Sequence, residues 1–507
     1  MEEEAGGKAK GRPELIAAVL IAMAITVMTP VAAHADNPTD AADQMGAELA
    51  ARLASAAPGD TVVVAPGYYR GNFELSAAIT LVGEGRPVLD GGGTGSVLTV
   101  PTSAAGSVIS GLRLVGTGIG PLGTPAGLSI KADDVIVENV EVADSYMGIH
   151  VNGGDRVQIR GNTVESYAQG GVEGELHATG DEVDLTGVDV GGGDDSRRLM
   201  RGDAITLLNA FDAVVEDNTI FNSRDGIYFS FAVNALVRGN TISDSRYGFH
   251  GMYSQNLLAV DNYLEGNLAG MILMYGGPFE VRGNTVLRSI SPSTGVGIVL
   301  KDGAGATIVD NVIASNRVGI KLDNGGATAT AAASTPAIIT SNTIALNQVG
   351  IEIMAASRSA FSANSFVENT VQVVTDGKTP NIEWSVAATG NYWSSYKGYD
   401  SDGNGIGDVD FVEAGSIART LVRSPVMISL ASGPGFRLIQ AIEDRWASND
   451  PVIRDSYPLM DMRSPKVAEE LRPEKAPIWL GIGGALAALA SAFILYLARR
   501  PRTVLHV

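Results

Sequence analysis

Cysteine is absent from all 507 residues. Disulfides, zinc knuckles, iron–sulfur clusters and thiolate copper sites are therefore excluded, and a soft-metal site must be built from methionine and histidine. Basic residues are also scarce. Lys plus Arg number 36 against 56 Asp plus Glu, a formal charge of −20. That deficit argues against nucleic acid as the partner, because such binding depends on cations meeting phosphates. No G-x-x-x-x-G-K-[ST] loop occurs, so nucleotide energy would have to come from a partner. Glycine, by contrast, is plentiful: 62 of 507 residues, about 12% against a typical ~7%. With 45% hydrophobic residues the chain is still no disordered glycine-rich tail.

Both ends point to a membrane. Lys8, Lys10 and Arg12 precede an apolar stretch from Leu15 to Val27, and Ala33-His34-Ala35 follows. This order predicts a secretory signal peptide over residues 1–35. At the other end, Ile478 to Ala498 carries no charge and is long enough, as a helix at ~1.5 Å per residue, to cross a ~30 Å hydrocarbon core. Trp479 and Tyr496 flank this stretch, and Arg499, Arg500 and Arg502 follow it. A transmembrane helix over 476–498 with a cytoplasmic tail over 499–507 is predicted, leaving the body outside.

The body repeats. Asn218, Asn240, Asn262 and Asn284 recur at steps of 22, and Asn162, Asn311, Asn342, Asn364 and Asn391 extend the series. A second element keeps step: Ala204, Gly226, Gly248 and Gly270, then Gly297, Gly319 and Gly350. Between these markers lie short alternating apolar runs, with no 3.6-residue period. Asn and Gly tolerate the positive φ of tight corners, and stacked Asn amides can bond from coil to coil. The expected fold is all-β: a right-handed parallel β-helix of ~22-residue coils. The expected divisions are a capping segment over 36–58 containing a helix, a solenoid over 59–395 with an acidic loop near 173–203, and a C-terminal cap and linker over 396–475.

Alternation assigns the side chains of the strand after each second-element glycine. Ile227, Phe249, Met271 and Ile298, with Phe229, Leu273 and Leu300, read as core. Tyr228, His250, Ile272 and Val299, with Met252, Met274, Lys301 and Asp323, read as a solvent-facing surface. On it, His250 and Met252 share a strand and Met274 is in register one coil on, a donor set suited to copper(I). A hydrophobic docking patch bordered by Tyr228, Tyr253 and Tyr275 is the competing reading. His150 reads as an ordinary surface residue. Farther along, Asp400, Asp402, Asn404 and Asp408 fall at calcium-loop positions 1, 3, 5 and 9, with Gly405 at the turn, but Phe411 occupies position 12. Calcium or a self-bonded Asx-turn loop are both consistent with that spacing.

RYGFHGMYSQN (Arg246 to Asn256), LMYG (Leu273 to Gly276), RDGIYF (Arg224 to Phe229), GNYWSSYKGYDSDGNGIGD (Gly390 to Asp408) and SPVMISL…DSYPL (Ser424 to Leu459) resemble the NosD family. The resemblance implies a periplasmic, non-enzymatic accessory protein for nitrous oxide reductase maturation. It would assist copper–sulfur centre assembly with an ABC transporter made of a membrane subunit and an ATPase, and it leaves room for a copper chaperone. His250, Met252 and Met274 fall within the matching stretches. A β-helix polysaccharide lyase or epimerase, using Lys301, Lys321, Asp323 and Glu352, is the alternative. A passive scaffold is a third.

Overall fold

The computed structural model describes residues 38–118, 124–166, 202–291, 295–303, 305–323, 335–354, 358–375, 382–413 and 451–462. The expected signal peptide, transmembrane helix and cytoplasmic tail lie outside these residues, as does nearly all of the expected acidic loop. Among the described residues no helix is long and apolar enough to cross a membrane.

The architecture is a three-sheet parallel β-helix. Each coil contributes one short strand to each sheet, so the sheets hold 13, 13 and 12 strands, paired in parallel from coil to coil. Steps of 22 residues put Ile227 beside Phe249, Phe249 beside Met271, and Val215 beside Val237. Apolar side chains of the three inward faces meet in one continuous core running from Leu49 to Trp393 and the cap residues Phe411 and Ile453.

Two polar ladders hold the corners. Asn162 Oδ1 accepts from Val140 N–H, and in each of Asn218, Asn240, Asn262 and Asn284 the Oδ1 accepts both the backbone N–H and the Nδ2 of the preceding coil's Asn, at 2.9–3.0 Å. The run continues through Asn311, Asn342 and Asn364 to Asn391. A second ladder, not expected from the repeat, stacks Ser223, Ser245 and Asn267, and later Asn316, Asn347 and Asn369. These amides satisfy backbone groups that burial at a corner would otherwise orphan. The recurring glycine has a separate cause. A Cβ on Gly226, Gly248 or Gly270 would come within 2.7 Å of the next coil's carbonyl oxygen.

Both ends of the stack are covered. The helix Pro38–Ser55 packs on the first coil, where Arg52 donates to Val63 O at 2.7 Å and Ser76 Oγ donates to Leu53 O at 2.7 Å. At the far end the strands Phe411–Glu413 and Ile453–Asp455 pair antiparallel. Buried Asp455 accepts from Asn391 N (2.7 Å) and from Trp393 Nε1 (2.9 Å), terminating the Asn ladder.

Candidate functional site

The third sheet carries the expected surface, and the alternation assigns its two sides correctly. Phe249, Met271 and Leu273 belong to the solenoid core, whereas Met274 and Ile272 belong to a separate apolar cluster on the opposite face, with Met252 packed against it. Solvent exposure does not follow. Met274 is 0% exposed, His250 6%, His150 5%, Thr206 2% and Glu352 8%. This corrects the expected solvent-facing surface: the face is outward from the core but largely shielded from water. Alternation reports which side of its own sheet a residue occupies, not what lies on that side.

His250 lies on the strand Tyr247–Met252 and is paired with Tyr228 below and Ile272 above. Its Nδ1 is 2.8 Å from Asp225 Oδ2. Arg246 donates to both oxygens of the same carboxylate, at 2.9 and 3.1 Å. One coil earlier Arg224 grips Asp203 in the same way, at 2.8 and 2.9 Å. Burial raises the Asp225 carboxyl, but Arg246 and His250 outweigh it and hold the group well below the usual carboxylate range. An ionised Asp225 accepts only, so His250 Nδ1 is the donor, and in the neutral ring Nε2 carries the lone pair. That Nε2 is buried and has no hydrogen-bond partner. The Tyr228 ring lies 4.8 Å from the imidazole and Tyr247 meets it edge-on at 5.2 Å.

Met252 follows two residues after His250 and projects to the same side, in register with Met274 on the strand Ala269–Met274. Adjacent coils lie ~4.8 Å apart, so the Met252 and Met274 thioethers belong to neighbouring coils, two positions along the sheet from the unpartnered imidazole nitrogen. A histidine fixed through one nitrogen by a carboxylate, with the other nitrogen free, is the usual preparation of a metal ligand. The donor set therefore fits a soft cation.

The expected docking trio divides. Tyr228 belongs to the histidine's surroundings, while Tyr253 and Tyr275 stack at 5.1 Å with Phe231 as a third ring, 5.1 Å from Tyr253. All three occupy one corner at φ of 51–55°, and Phe231 is 56% exposed. Asn209 and Asp302 hold the same left-handed corner in flanking coils. Bulky residues seldom adopt this conformation, so three in succession mark a selected feature.

The aspartate-rich loop from Asp400 to Asp408 bonds to itself. Asp400 accepts the N–H groups of Gly403, Asn404 and Gly405 at 2.8–3.2 Å, and Asp402 accepts from Asn404. Ser401 donates to Asp408 through its N–H at 2.8 Å and also through its hydroxyl. This is the Asx-turn arrangement. Among the described residues no group of three His, Asp or Glu side chains is arranged to hold a metal, and the calcium reading gains no support.

Reasoning from sequence missed Asp203, Arg224, Asp225 and Arg246. A signal existed: Arg224-Asp225 and Arg246-Tyr247 precede the second-element glycine at the same 22-residue step. Asp203, assigned to the end of the acidic loop, instead stands on the sheet as a buried ion-pair partner.

A family model described as periplasmic copper-binding protein (NosD) matches residues 176–398. The chain is 31% identical over 414 residues to a probable ABC transporter binding protein NosD of Pseudomonas aeruginosa, covering 79% of this chain and 88% of that protein. A protein of the same description from Stutzerimonas stutzeri is 31% identical over 417 residues, 80% of this chain and 87% of the relative. Among solved structures, the A-module of an Azotobacter vinelandii mannuronan C-5 epimerase superposes with a TM-score of 0.54 at 17% identity, covering 69% of this chain and 96% of that module. The catalytic unit of a Streptomyces thermodiastaticus alpha-1,3-glucanase superposes with a TM-score of 0.50 at 14% identity, covering 70% and 67%. At such identities the structural likenesses establish the fold alone.

Proposed function

The chain belongs to the NosD family, and from that premise we propose that it acts outside the cytoplasm as a non-enzymatic, copper-handling partner of an ABC transporter. Copper is cargo in this reading, bound transiently by His250 Nε2 and the thioethers of Met252 and Met274. The carrying observation is that buried, unpartnered Nε2, fixed through Nδ1 by Asp225, with two methionines in register with each other two positions along the same face. Thioether and imidazole donors favour copper(I), and the absence of cysteine leaves no stronger competitor in the chain. Shielding excludes water, which would otherwise compete for the ion and assist its oxidation.

The Phe231, Tyr253 and Tyr275 stack, with Phe231 exposed and both tyrosines half-buried, borders the methionines and supplies an aromatic docking edge of the kind protein interfaces prefer. The finer assignment is assembly of the copper–sulfur centre of nitrous oxide reductase, with the transporter's membrane subunit and ATPase as working partners. A carbohydrate-active reading has less support. Glu352, the most buried of its proposed acids, forms an ion pair with Lys321 at 3.2 Å, and Lys301 and Asp323 stand in register. The charges are thus opposed in pairs instead of converging on a groove. Titration of copper(I) into the full-length protein tests the proposal. The triple variant His250→Ala, Met252→Leu, Met274→Leu should lose one bound ion; unchanged binding would remove these residues as ligands.

A further inference from the structure

His150 stands in the same outward column as His250, three coils away. The register runs His150, Thr206, Tyr228, His250 without a break, about 14 Å at ~4.8 Å per coil. It is 5% exposed, and its Nδ1 is buried with no hydrogen-bond partner. An unmet buried nitrogen is costly and calls for an explanation. Burial lowers the His150 pKa, against the opposing pull of Asp203, so the ring is neutral and has a lone pair to offer near pH 7.

Met147 supplies a second donor. It lies on the same strand, Met147–Asn152, is 6% exposed and does not belong to the solenoid core. Its column continues through Asp203, Asp225 and Tyr247, the side of the sheet that His150 also faces. Its sulfur lies against Gly202: a Cβ there would come within 3.0 Å of Met147 Sδ. The Asp203 carboxylate next to it is committed to Arg224 and to Asp225 N–H. With that carboxylate committed, this side of the strand is not a carboxylate site for hard cations, but one imidazole and one thioether can serve a two-coordinate soft monovalent ion.

We propose that His150 and Met147 form a second soft-cation station, three coils before His250 in the same column. The ion's identity as copper(I) rests on the function proposed above; the site itself rests on its own residues. Between the stations lie Thr206 and Tyr228, with the ion-paired Asp203–Arg224 and Asp225–Arg246 alongside. Two stations on one shielded face give the protein a place to receive an ion and a place to release it.

Titration with silver(I), a redox-stable stand-in for copper(I), is carried out on the full-length protein, with thermal unfolding as the control for folding. Wild type should take up about two equivalents, the His150→Ala variant one fewer, and the triple variant at His250, Met252 and Met274 should keep the His150 equivalent. Met147→Leu should weaken that remaining equivalent. If the triple variant binds as wild type while His150→Ala loses an ion, the second station stands and the first assignment fails. Uptake unchanged in His150→Ala, or abolished entirely in the triple variant, overturns the station. A nitrogen-15 spectrum supplies a readout without mutation: the His150 Nδ1 resonance must shift on silver(I) addition, and a resonance unmoved at saturation refutes ligation.

Discussion

At the scale of single residues, the decisive group is Asp225. Its carboxylate is wholly enclosed and shared between the Arg246 guanidinium and the His250 ring. Buried ion pairs contribute little net stability when intact, but removing one partner leaves an uncompensated charge and costs about 3–5 kcal/mol. Asp225→Ala should therefore lower the denaturant midpoint sharply. Asp225→Asn, which keeps the shape, should destabilise less and still weaken copper(I) binding, because an amide can present its N–H and leave the ring nitrogen's tautomer unfixed. Equal metal affinity in wild type and Asp225→Asn would show that the carboxylate serves stability only. The aromatic corner gives a prediction of opposite sign. A bulky residue at positive φ stores about 1–3 kcal/mol of strain, whereas asparagine accepts that backbone readily. Tyr253→Asn should leave thermal stability unchanged or raised while reducing co-purification with the proposed transporter partner. A loss of stability with docking intact would make the stack structural.

At the scale of elements, the corner ladders set the register of the strands. Asn262 bonds Asn284, Val237 O and the Asn240 amides at 2.9–3.0 Å. Asn262→Ala would orphan several buried groups at once, each worth about 1–3 kcal/mol. The expected loss is about 3 kcal/mol in equilibrium unfolding, with amide exchange accelerating first in the adjoining coils. Cross-coil pairs at or near the surface, such as half-buried Glu138 with Arg160 or exposed Asp134 with Arg156, lie at the same step. They contribute no more than ~1 kcal/mol each, and their loss should be nearly silent. Depth, not pairing as such, separates these from Asp225 and Arg246.

At the scale of the whole molecule, a solenoid of parallel sheets has two open ends, and each would expose unpaired backbone groups to another chain. The helix Pro38–Ser55 closes one end and the Asp455-anchored strand pair the other. Removing residues 38–55 should convert a monodisperse species into end-to-end oligomers, detectable by light scattering. A monomer of unchanged stability would show that the first coil needs no cover.

The sequence by itself determined the winding of this chain. A parallel β-helix is a nearest-neighbour object, so a fixed step of 22 with Asn and Gly at its corners sets strand direction, register and the inward rows. It also placed His250, Met252 and Met274 on adjoining coils and on one side of their sheet, because side-chain alternation is a local property of the backbone. Only the tertiary structure decided that this side is shielded from water and that Asp203, Arg224, Asp225 and Arg246 form the charged network behind the histidine. It also separated Tyr228 from the aromatic stack. Burial and hydrogen-bond partners depend on what packs across a face and on rotamers, and neither is written in the period of a repeat.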